Sequence, residues 1–320
     1  TETLFRYTLP KFGIQVTFLD EFTAEKIADS IQDNTKLVFG ETIGNPQGDV
    51  ADLSSISKAA HAHGLPLFID NTFAPVICRP FDFGADVIVY SCTKWIGGHG
   101  TTIGGMIIDS GDFSWDQGRF EDFTTPDPSY HGLVYWDALG DVPGMGNVAF
   151  IVKARVEGMR NMGMCPSPLS SFQLIQGVET LPLRMREHCR NALDLAEWLN
   201  EHRSVSWVNF TGLEGHPSYE LAKKYFMHGS FGSVLGFGLK GGVKAAQKFI
   251  DSVKVCYHLA NVGDAKTLVI HPASTTHQQL SVEALEAIGI KEDFIRVSVG
   301  IECIEDIKAD FTQAMEKSQL

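Results

Sequence analysis

Short apolar runs alternate along the first part of the chain with stretches whose apolar residues have helical spacing. Residues 67–69 and 87–90 are two of these runs, and each ends abruptly in polar residues. Runs rich in Val, Ile and Phe that end in turn residues are typical of the buried strands of a parallel sheet. A third run covers residues 35–39, and an amphipathic stretch over 52–63 follows, with Asp52 as its expected N-cap. This order of strands and helices predicts an α/β fold with a mostly parallel, doubly wound sheet.

The rest of the pattern predicts further elements and a second, smaller unit. Residues 14–20 alternate as a strand does and 24–32 have helical spacing, whereas 111–146 are irregular and indicate an ordered insertion near a site or a subunit contact. The pattern also predicts helices over 147–162, 166–179, 181–200, 243–253 and 305–316, and strands over 102–108, 205–210, 233–239, 267–270 and 294–299. Because the pattern changes near residue 180, we expect an α/β domain over 1–180 and an α+β domain over 181–320.

Composition and charge are those of an ordinary globular protein and exclude several classes. Hydrophobic residues make up 44% and charged residues 20% of the chain, so its 320 residues can bury a sizeable core. The net charge of −13 argues against nucleic acid and anionic membranes as partners. Six scattered cysteines without a CxxC pair favour reduced thiols and a cytoplasmic location. His61 and His63 are two apart on a predicted helix, with no cysteine nearby, so no metal site is expected.

Chemically active residues follow two of the predicted strands. Asp70 comes directly after the run 67–69, and Ser91, Thr93 and Lys94 follow the run 87–90. In open α/β sheets the ligand crevice lies outside the carboxyl ends of the strands, so these side chains are expected to share one site. Pyridoxal 5'-phosphate (PLP) needs a lysine amine, an anion site for its phosphate and an acid beside its ring nitrogen. Lys94, the two hydroxyls and Asp70 can supply these three, which predicts a PLP pocket.

Other interpretations of the same residues exist. Taken alone, Asp70 is more often a turn or capping aspartate. Ser91 and Lys94 also match the S-x-x-K of serine β-lactamases and penicillin-binding proteins, but a strand precedes the serine, S-D-N is absent, and the nearest match to K-T-G begins at Lys266. Arg296, in the strand-like stretch 294–300, suits either a carboxylate ligand or a structural salt bridge.

Longer stretches of the chain resemble those of one enzyme family. They are 44–53, 66–100, 169–193, 259–281 and 294–302. In this order they are similar to the cysteine/methionine-metabolism group of fold-type I PLP-dependent enzymes, and within it to the O-acetylhomoserine sulfhydrylase branch. The resemblance implies a fold-type I transferase with a smaller C-terminal domain. It also indicates that the family's N-terminal part, with a phosphate loop, a ring-stacking tyrosine and residues lent by a neighbouring subunit, is missing from this sequence.

The resemblance implies a role for each matching residue. Lys94 matches the catalytic lysine that binds PLP covalently and then acts as general base and acid. Asp70 matches the partner of the ring nitrogen, and Ser91 and Thr93 match phosphate ligands. The residues implied on the substrate side are Asn45, which also contacts the cofactor's 3-oxygen, Asn261 and the carboxylate-binding Arg296.

The activity implied by the resemblance is γ-replacement on O-acetyl-L-homoserine. Sulfide or methanethiol replaces acetate and gives homocysteine or methionine, in a cytoplasmic homo-oligomer, a dimer or tetramer with shared active sites. Two alternatives stay open: cystathionine γ-synthase or a methionine or cystathionine γ-lyase, and an inactive fragment that keeps the fold. The residues do not distinguish an acetyl from a succinyl substrate.

Overall fold

The computed structural model describes residues 1–275 and 291–318, so the end of the stretch 259–281 lies outside the described residues. The first sheet has the order β1 (Val38–Glu41), β2 (Leu67–Asp70), β3 (Val87–Ser91) and β4 (Gly105–Asp109). The first three strands are parallel and β4 is antiparallel to β3. The prediction of a mostly parallel first sheet is therefore confirmed.

Several helices begin and end close to the predicted positions, whereas the helix predicted over 147–162 is an α-helix only over Ala149–Ala154 and continues as a π-helix over Arg155–Asn161. They are α1 (Ala24–Ser30), α2 (Leu53–Ala62), α3 (Glu121–Thr124), α4 (Tyr135–Leu139), α5 (Ala149–Ala154), α6 (Pro168–Glu201), α7 (Tyr219–Tyr225), α8 (Gly242–Ser252) and α9 (Ile304–Ser318). The helix α2 connects β1 to β2 and buries Leu53, Ile56 and Ala60, which recur at helical spacing. Asp52 occupies the N-cap position of α2 but makes no side-chain capping bond; its carboxylate instead accepts from Ser55 Oγ at 2.7 Å.

One continuous helix, α6, replaces the two helices predicted over 166–179 and 181–200. The Ser167 hydroxyl caps it by accepting from the backbone N–H of Ser170 at 3.0 Å. Pro182 lies inside the helix, where it lacks the N–H that the helical ladder needs. The prediction of a break was wrong because Leu181 and Met185 on either side are buried, and this packing outweighs the local preference of proline.

The second sheet has the order β5 (Val205–Asn209), β6 (Val234–Leu239), β9 (Ile295–Ser298), β8 (Leu268–Ile270) and β7 (Tyr257–His258). Its pairs are antiparallel except β7 with β8. Phe237 of β6 makes an edge-to-face contact with Phe249 of α8, which in turn contacts Phe311 of α9. Burial of these rings holds the two helices against the sheet.

Two hydrophobic cores meet along α6. Leu181, Met185 and Cys189 belong to the core beneath the first sheet, whereas Ala192 and Leu195 belong to the core beneath the second. The change of core therefore lies between Cys189 and Ala192. The expected domain boundary near residue 180 stays a prediction.

Some local predictions were wrong. Residues 14–20 form no strand, because in the described part of the chain β1 pairs with β2 alone and offers them no partner. The strand predicted over 35–39 begins three residues later, and the elements α3, α4, α7 and β7 were not predicted. The irregular segment 111–146 is ordered as expected, because Trp115 stacks on Phe123 and packs against Phe113 in a small aromatic core. Across residues 1–275 and 291–318, no helix combines the length and the hydropathy needed to cross a membrane.

Candidate active site

The ends of the parallel strands place Asp70 and Ser91 on one face of the first sheet. Asp70 pairs in register with Val89, and Ser91 lies two residues further along β3, so both side chains point to the same side. One Asp70 carboxylate oxygen accepts from the backbone N–H of Thr72 at 2.9 Å and from its hydroxyl at 2.5 Å. The Thr72 hydroxyl oxygen in turn accepts from the Ser91 N–H at 2.8 Å. Thr72 thus ties the two strand ends together.

Lys94 lies in the turn that follows β3. Its backbone N–H donates to the Ser91 carbonyl at 3.1 Å, and its carbonyl accepts from the Gly98 N–H at 2.7 Å. The Lys94 ammonium donates to the side-chain oxygen of Asn261, which precedes the second sheet's β8 strand. Burial lowers the pKa of Lys94, and the nearby positive charge of Arg296 lowers it further. The lysine therefore loses its proton more readily than an exposed lysine does.

Arg296 lies on β9, a central strand of the second sheet, and reaches back to the first part of the chain. One terminal nitrogen donates to Asn45 Oδ1 at 3.3 Å, and the other donates to the Asn261 carbonyl at 3.3 Å. Burial lowers the pKa of Arg296. Among the ion pairs of residues 1–275 and 291–318 it has no acidic partner, so the structural salt bridge considered above is not found there. A guanidinium without an acidic partner suits an anionic ligand, and the carboxylate-binding role of Arg296 stays a prediction.

The predicted substrate-side residues and Lys94 form one connected group. Contacts run from Lys94 to Asn261, from Asn261 to Arg296 and from Arg296 to Asn45. Asn45 lies in the loop after β1, where the side chain of Asn209 donates to the carbonyl of Gln47. The site therefore lies between the two sheets.

Thr93 is placed near the group but its hydroxyl is engaged elsewhere. It donates to the Gly104 carbonyl at 3.3 Å and accepts from the Gly104 N–H at 3.1 Å. To donate to a phosphate oxygen, this hydroxyl would have to give up the Gly104 carbonyl. The phosphate role of Thr93 and the role of Ser91 stay predictions.

Glu41 is a site residue to which the sequence pattern assigned no role. It ends β1 and pairs in register with Asp70 on β2. Burial and the negative charge of Asp70 raise the pKa of Glu41 to about 7, although a hydrogen bond from the Asn45 backbone N–H opposes the shift. The sequence signal was present, since Glu41 ends a buried apolar run just as Asp70 does.

Arg184 of α6 was also missed, because it resembles a surface charge on an amphipathic helix. It is only 6% exposed, and its guanidinium donates to the Trp95 carbonyl at 2.7 Å, the Ile96 carbonyl at 3.1 Å and the Gly177 carbonyl at 2.7 Å. Gly177 lies so close to the same segment that a Cβ there would be 2.2 Å from the Ile96 carbonyl oxygen. The helix α6 therefore holds the backbone that directly follows Lys94.

The side chains brought together here are those that a PLP site needs. Lys94 supplies an amine of lowered pKa, Asp70 a carboxylate at a strand end, and Arg296 a guanidinium that has no carboxylate within the described residues. No cluster of three or more His, Cys, Asp or Glu side chains suited to a metal ion occurs within residues 1–275 and 291–318. Two surface cavities of about 480 and 470 Å³ are lined by other residues and do not include this group.

Known proteins resemble the whole chain. The family described as Cys/Met metabolism PLP-dependent enzyme matches residues 1–316. The chain is 49% identical to an O-acetyl-L-homoserine sulfhydrylase of Leptospira meyeri over 319 residues, which are 99% of this chain and 72% of the relative. It is 48% identical to a homocysteine synthase of Schizosaccharomyces pombe over 320 residues, 99% of this chain and 73% of the relative.

One solved structure is similar throughout. It is a putative O-acetylhomoserine (thiol)-lyase from Campylobacter jejuni that contains N'-pyridoxyl-lysine-5'-monophosphate. The TM-score is 0.92 at 38% identity, and the match covers 99% of this chain and 74% of that chain. The fold class expected from the sequence is confirmed by this agreement.

Proposed function

The chain belongs to the Cys/Met metabolism PLP-dependent enzyme family, and from this premise we propose that it catalyses γ-replacement on O-acetyl-L-homoserine. Sulfide forms a C–S bond at Cγ, the bond between Cγ and the ester oxygen breaks, and the products are L-homocysteine and acetate. The names of the two relatives, O-acetyl-L-homoserine sulfhydrylase and homocysteine synthase, support this substrate and this product. Methanethiol in place of sulfide would give methionine.

The observation that carries the proposal is the chain of contacts from Lys94 through Asn261 to Arg296. A lysine of lowered pKa suits proton transfer at the carbon atoms of the substrate. A guanidinium with no carboxylate partner among the described residues suits the α-carboxylate of an amino acid. An enzyme that acts on an amino acid by proton transfer needs both groups in one site.

PLP would be held by residues at or just after the ends of β1, β2 and β3. Lys94 would bind it covalently, Asp70 would pair with the ring nitrogen, Asn45 would contact its 3-oxygen, and Ser91 and Thr93 would bind its phosphate. The chemistry supplied by the bound cofactor is an electron sink for the negative charge that develops at the substrate Cα.

The remaining steps belong to the side chains of this chain. Arg296 and Asn45 bind and orient the substrate carboxylate, so that the Cα–H bond faces Lys94. Lys94 Nζ accepts the proton from Cα and then moves a proton at Cβ before acetate leaves. Burial and the charge of Arg296 favour the neutral amine that this transfer needs. Asn261 Oδ1 accepts a hydrogen bond from the amine and holds it in place.

The proposal is tested by replacing the lysine. Lys94→Ala is expected to abolish homocysteine formation from O-acetyl-L-homoserine and sulfide, and to abolish the visible absorbance band of a lysine-bound PLP. Lys58→Ala, on the exposed face of α2, is the matched control and should change neither. An unchanged band in Lys94→Ala would refute the assignment of the lysine.

Product analysis separates the alternative enzymes. Cysteine in place of sulfide would give cystathionine in a cystathionine γ-synthase, whereas methionine or cystathionine alone would be cleaved by a γ-lyase. O-succinyl-L-homoserine, compared with the acetyl ester at equal concentration, tests the acyl group. If the folded chain failed to bind PLP on titration, it would be an inactive relative that keeps the fold.

We also propose that the chain forms a homo-oligomer, either a dimer or a tetramer with shared sites. Large apolar side chains are exposed along the first half of α6, including Leu169 (65% exposed), Phe172 (57%) and Ile175 (61%). A contiguous exposed apolar face on a helix is typical of a protein interface. Phe172→Glu is expected to lower the mass measured by light scattering, and an unchanged mass would contradict the use of this face.

Two further proposals concern organisation and location. The proposed boundary between domains over 1–180 and 181–320 falls inside the continuous helix α6, so the division is tested by urea unfolding: two separate transitions would support two units, and one transition would indicate a single cooperative unit. A cytoplasmic location is supported by six free cysteines, four of which are buried. Fractionation of cells that express the protein would test it.

A further inference from the structure

The ends of β1 and β2 bring two carboxyl groups side by side. Glu41 and Asp70 are register partners in parallel strands, which lie about 4.8 Å apart, and their side chains point to the same face. Both residues are partly buried. Asp70 is fixed by its two hydrogen bonds from Thr72, and Asn45 follows Glu41 by four residues in the loop after β1. Glu41 therefore lies beside the residue proposed for the ring nitrogen and at the start of the loop that carries one proposed for the substrate carboxylate.

The surroundings of Glu41 favour a proton on its carboxyl group. Burial raises its pKa most, and the negative charge of the Asp70 carboxylate on β2 raises it further. A second carboxylate so close to Asp70 in a partly buried site does not ionise readily, so Glu41 keeps its proton to a higher pH than an exposed glutamate does.

We propose that Glu41 is a positioning residue for the proposed PLP reaction, acting as a neutral acid that leaves Asp70 as the single negative charge at the ring nitrogen. The inference rests on the proposed function. Negative charge develops on the substrate Cα and on the cofactor during the reaction, and a second carboxylate beside Asp70 opposes it electrostatically. Ionisation of Glu41 therefore weakens both the binding of the anionic cofactor and the removal of the Cα proton.

The binding of PLP to the full chain gives a readout that does not depend on turnover. Glu41→Gln is neutral at every pH and retains a side-chain oxygen for the Asn45 N–H. The compared quantity is the dissociation constant of PLP for the wild type divided by that for Glu41→Gln. This ratio should be near one at pH 6 and about ten at pH 8.5, because the wild type then binds PLP more weakly. PLP's own protonation affects both proteins equally and cancels in the ratio. Glu25→Gln, on the exposed side of α1, is the control and should give a flat ratio near one.

The pH dependence separates this role from a structural one. If Glu41 only supported the fold, Glu41→Gln would lower the melting temperature or shift the ratio by the same factor at each pH. In the wild type the rate of Cα-proton exchange should fall as the pH rises to alkaline values, and in Glu41→Gln this fall should be smaller. Should the variant fold poorly, titration of the ¹³C-labelled Glu41 carboxyl by NMR in the wild-type chain measures its ionisation directly. Ionisation well below pH 6, or a ratio that does not vary with pH, overturns the inference.

Failure of the proposed function has a different signature. A folded wild-type chain that binds no PLP, or binds it without forming homocysteine, contradicts the proposed function. A wild-type chain that binds PLP and forms homocysteine, but whose ratio to Glu41→Gln is flat with pH, contradicts the role of Glu41 alone.

Discussion

Replacing Arg184 by methionine removes a buried cation and keeps a side chain of similar length. The guanidinium donates to the carbonyls of Trp95 and Ile96, directly after Lys94, and to the carbonyl of Gly177 on its own helix. Its third nitrogen, Nε, donates to the hydroxyl of Thr180 at 3.1 Å. Methionine donates no hydrogen bond, so the two carbonyls of the segment after Lys94 lose this partner.

The expected cost follows from these two carbonyls. A buried polar group left without its partner costs about 1–3 kcal/mol, so the pair costs about 2–6 kcal/mol. Part of this is offset, because methionine removes the penalty of holding a cation out of water. We expect the free energy of unfolding to fall by about 3 kcal/mol. For a chain of this size the melting temperature should fall by about 4–5 °C.

Urea unfolding followed by circular dichroism measures the change. Arg186→Met on the exposed side of the same helix is the control, and it should stay within about 0.5 kcal/mol of the wild type. Arg184→Lys keeps the charge but not the planar fork, and should lie between the other two. The affinity for PLP should fall in Arg184→Met, because the displaced segment carries Lys94. Equal stability of Arg184→Met and Arg186→Met would refute the reasoning.

Three further outcomes are expected. Arg296→Lys should raise the KM for O-acetyl-L-homoserine about tenfold or more, because lysine lacks the bidentate fork of the guanidinium, while the dissociation constant of PLP stays the same. A change in PLP affinity without a change in KM would contradict the carboxylate-binding role. Asp310→Ala should lower the free energy of unfolding by about 2–3 kcal/mol, because the buried carboxylate accepts from the backbone N–H groups of residues 254, 255 and 256. Urea unfolding measures this change. A change below about 0.5 kcal/mol, the size expected of an ordinary surface substitution, would contradict the prediction. The hydrogen bond to Asp86 raises the pKa of His61, more than burial lowers it. A raised folded pKa gives stability that is present below the unfolded value near 6.5 and lost as pH rises through the folded value. Because the His61 side chain is 41% exposed, this stability is about 0.5 kcal/mol after screening. His61→Ala should therefore destabilise the chain more at pH 5.5 than at pH 9, and an equal effect at both pH values would refute the linkage.

The strand ends could be predicted from sequence because they depend on local pattern. The apolar runs before Asp70 and Ser91 are short, bounded and buried, and each became a strand of the parallel sheet. The position of Lys94 after the second run followed from the same pattern. A partner strand is not a local property, however, and residues 14–20 alternate correctly yet pair with nothing in the described chain.

The contacts across the site could not be derived from pattern. Asn45 and Arg296 are 251 residues apart, and Lys94 and Asn261 are 167 apart, so only family resemblance suggested these groupings. The coupling of Glu41 to Asp70 depends on strand register, since a slip of one residue would turn Glu41 to the opposite face. Arg184 is hidden for a similar reason: its burial depends on how α6 packs against the segment after Lys94.

The large sequence separations within the site fix the order in which it becomes complete during translation. Lys94 and Asp70 leave the ribosome roughly 200 residues before Arg296, which at about 5–20 residues per second is an interval of about 10–40 s. Throughout that interval the nascent chain has its lysine and its aspartate but not the arginine proposed to bind the carboxylate. A chain released early can therefore carry the proposed cofactor residues without the proposed substrate residues. On this proposal, selection for substrate begins only once β9 has been made and inserts between β6 and β8.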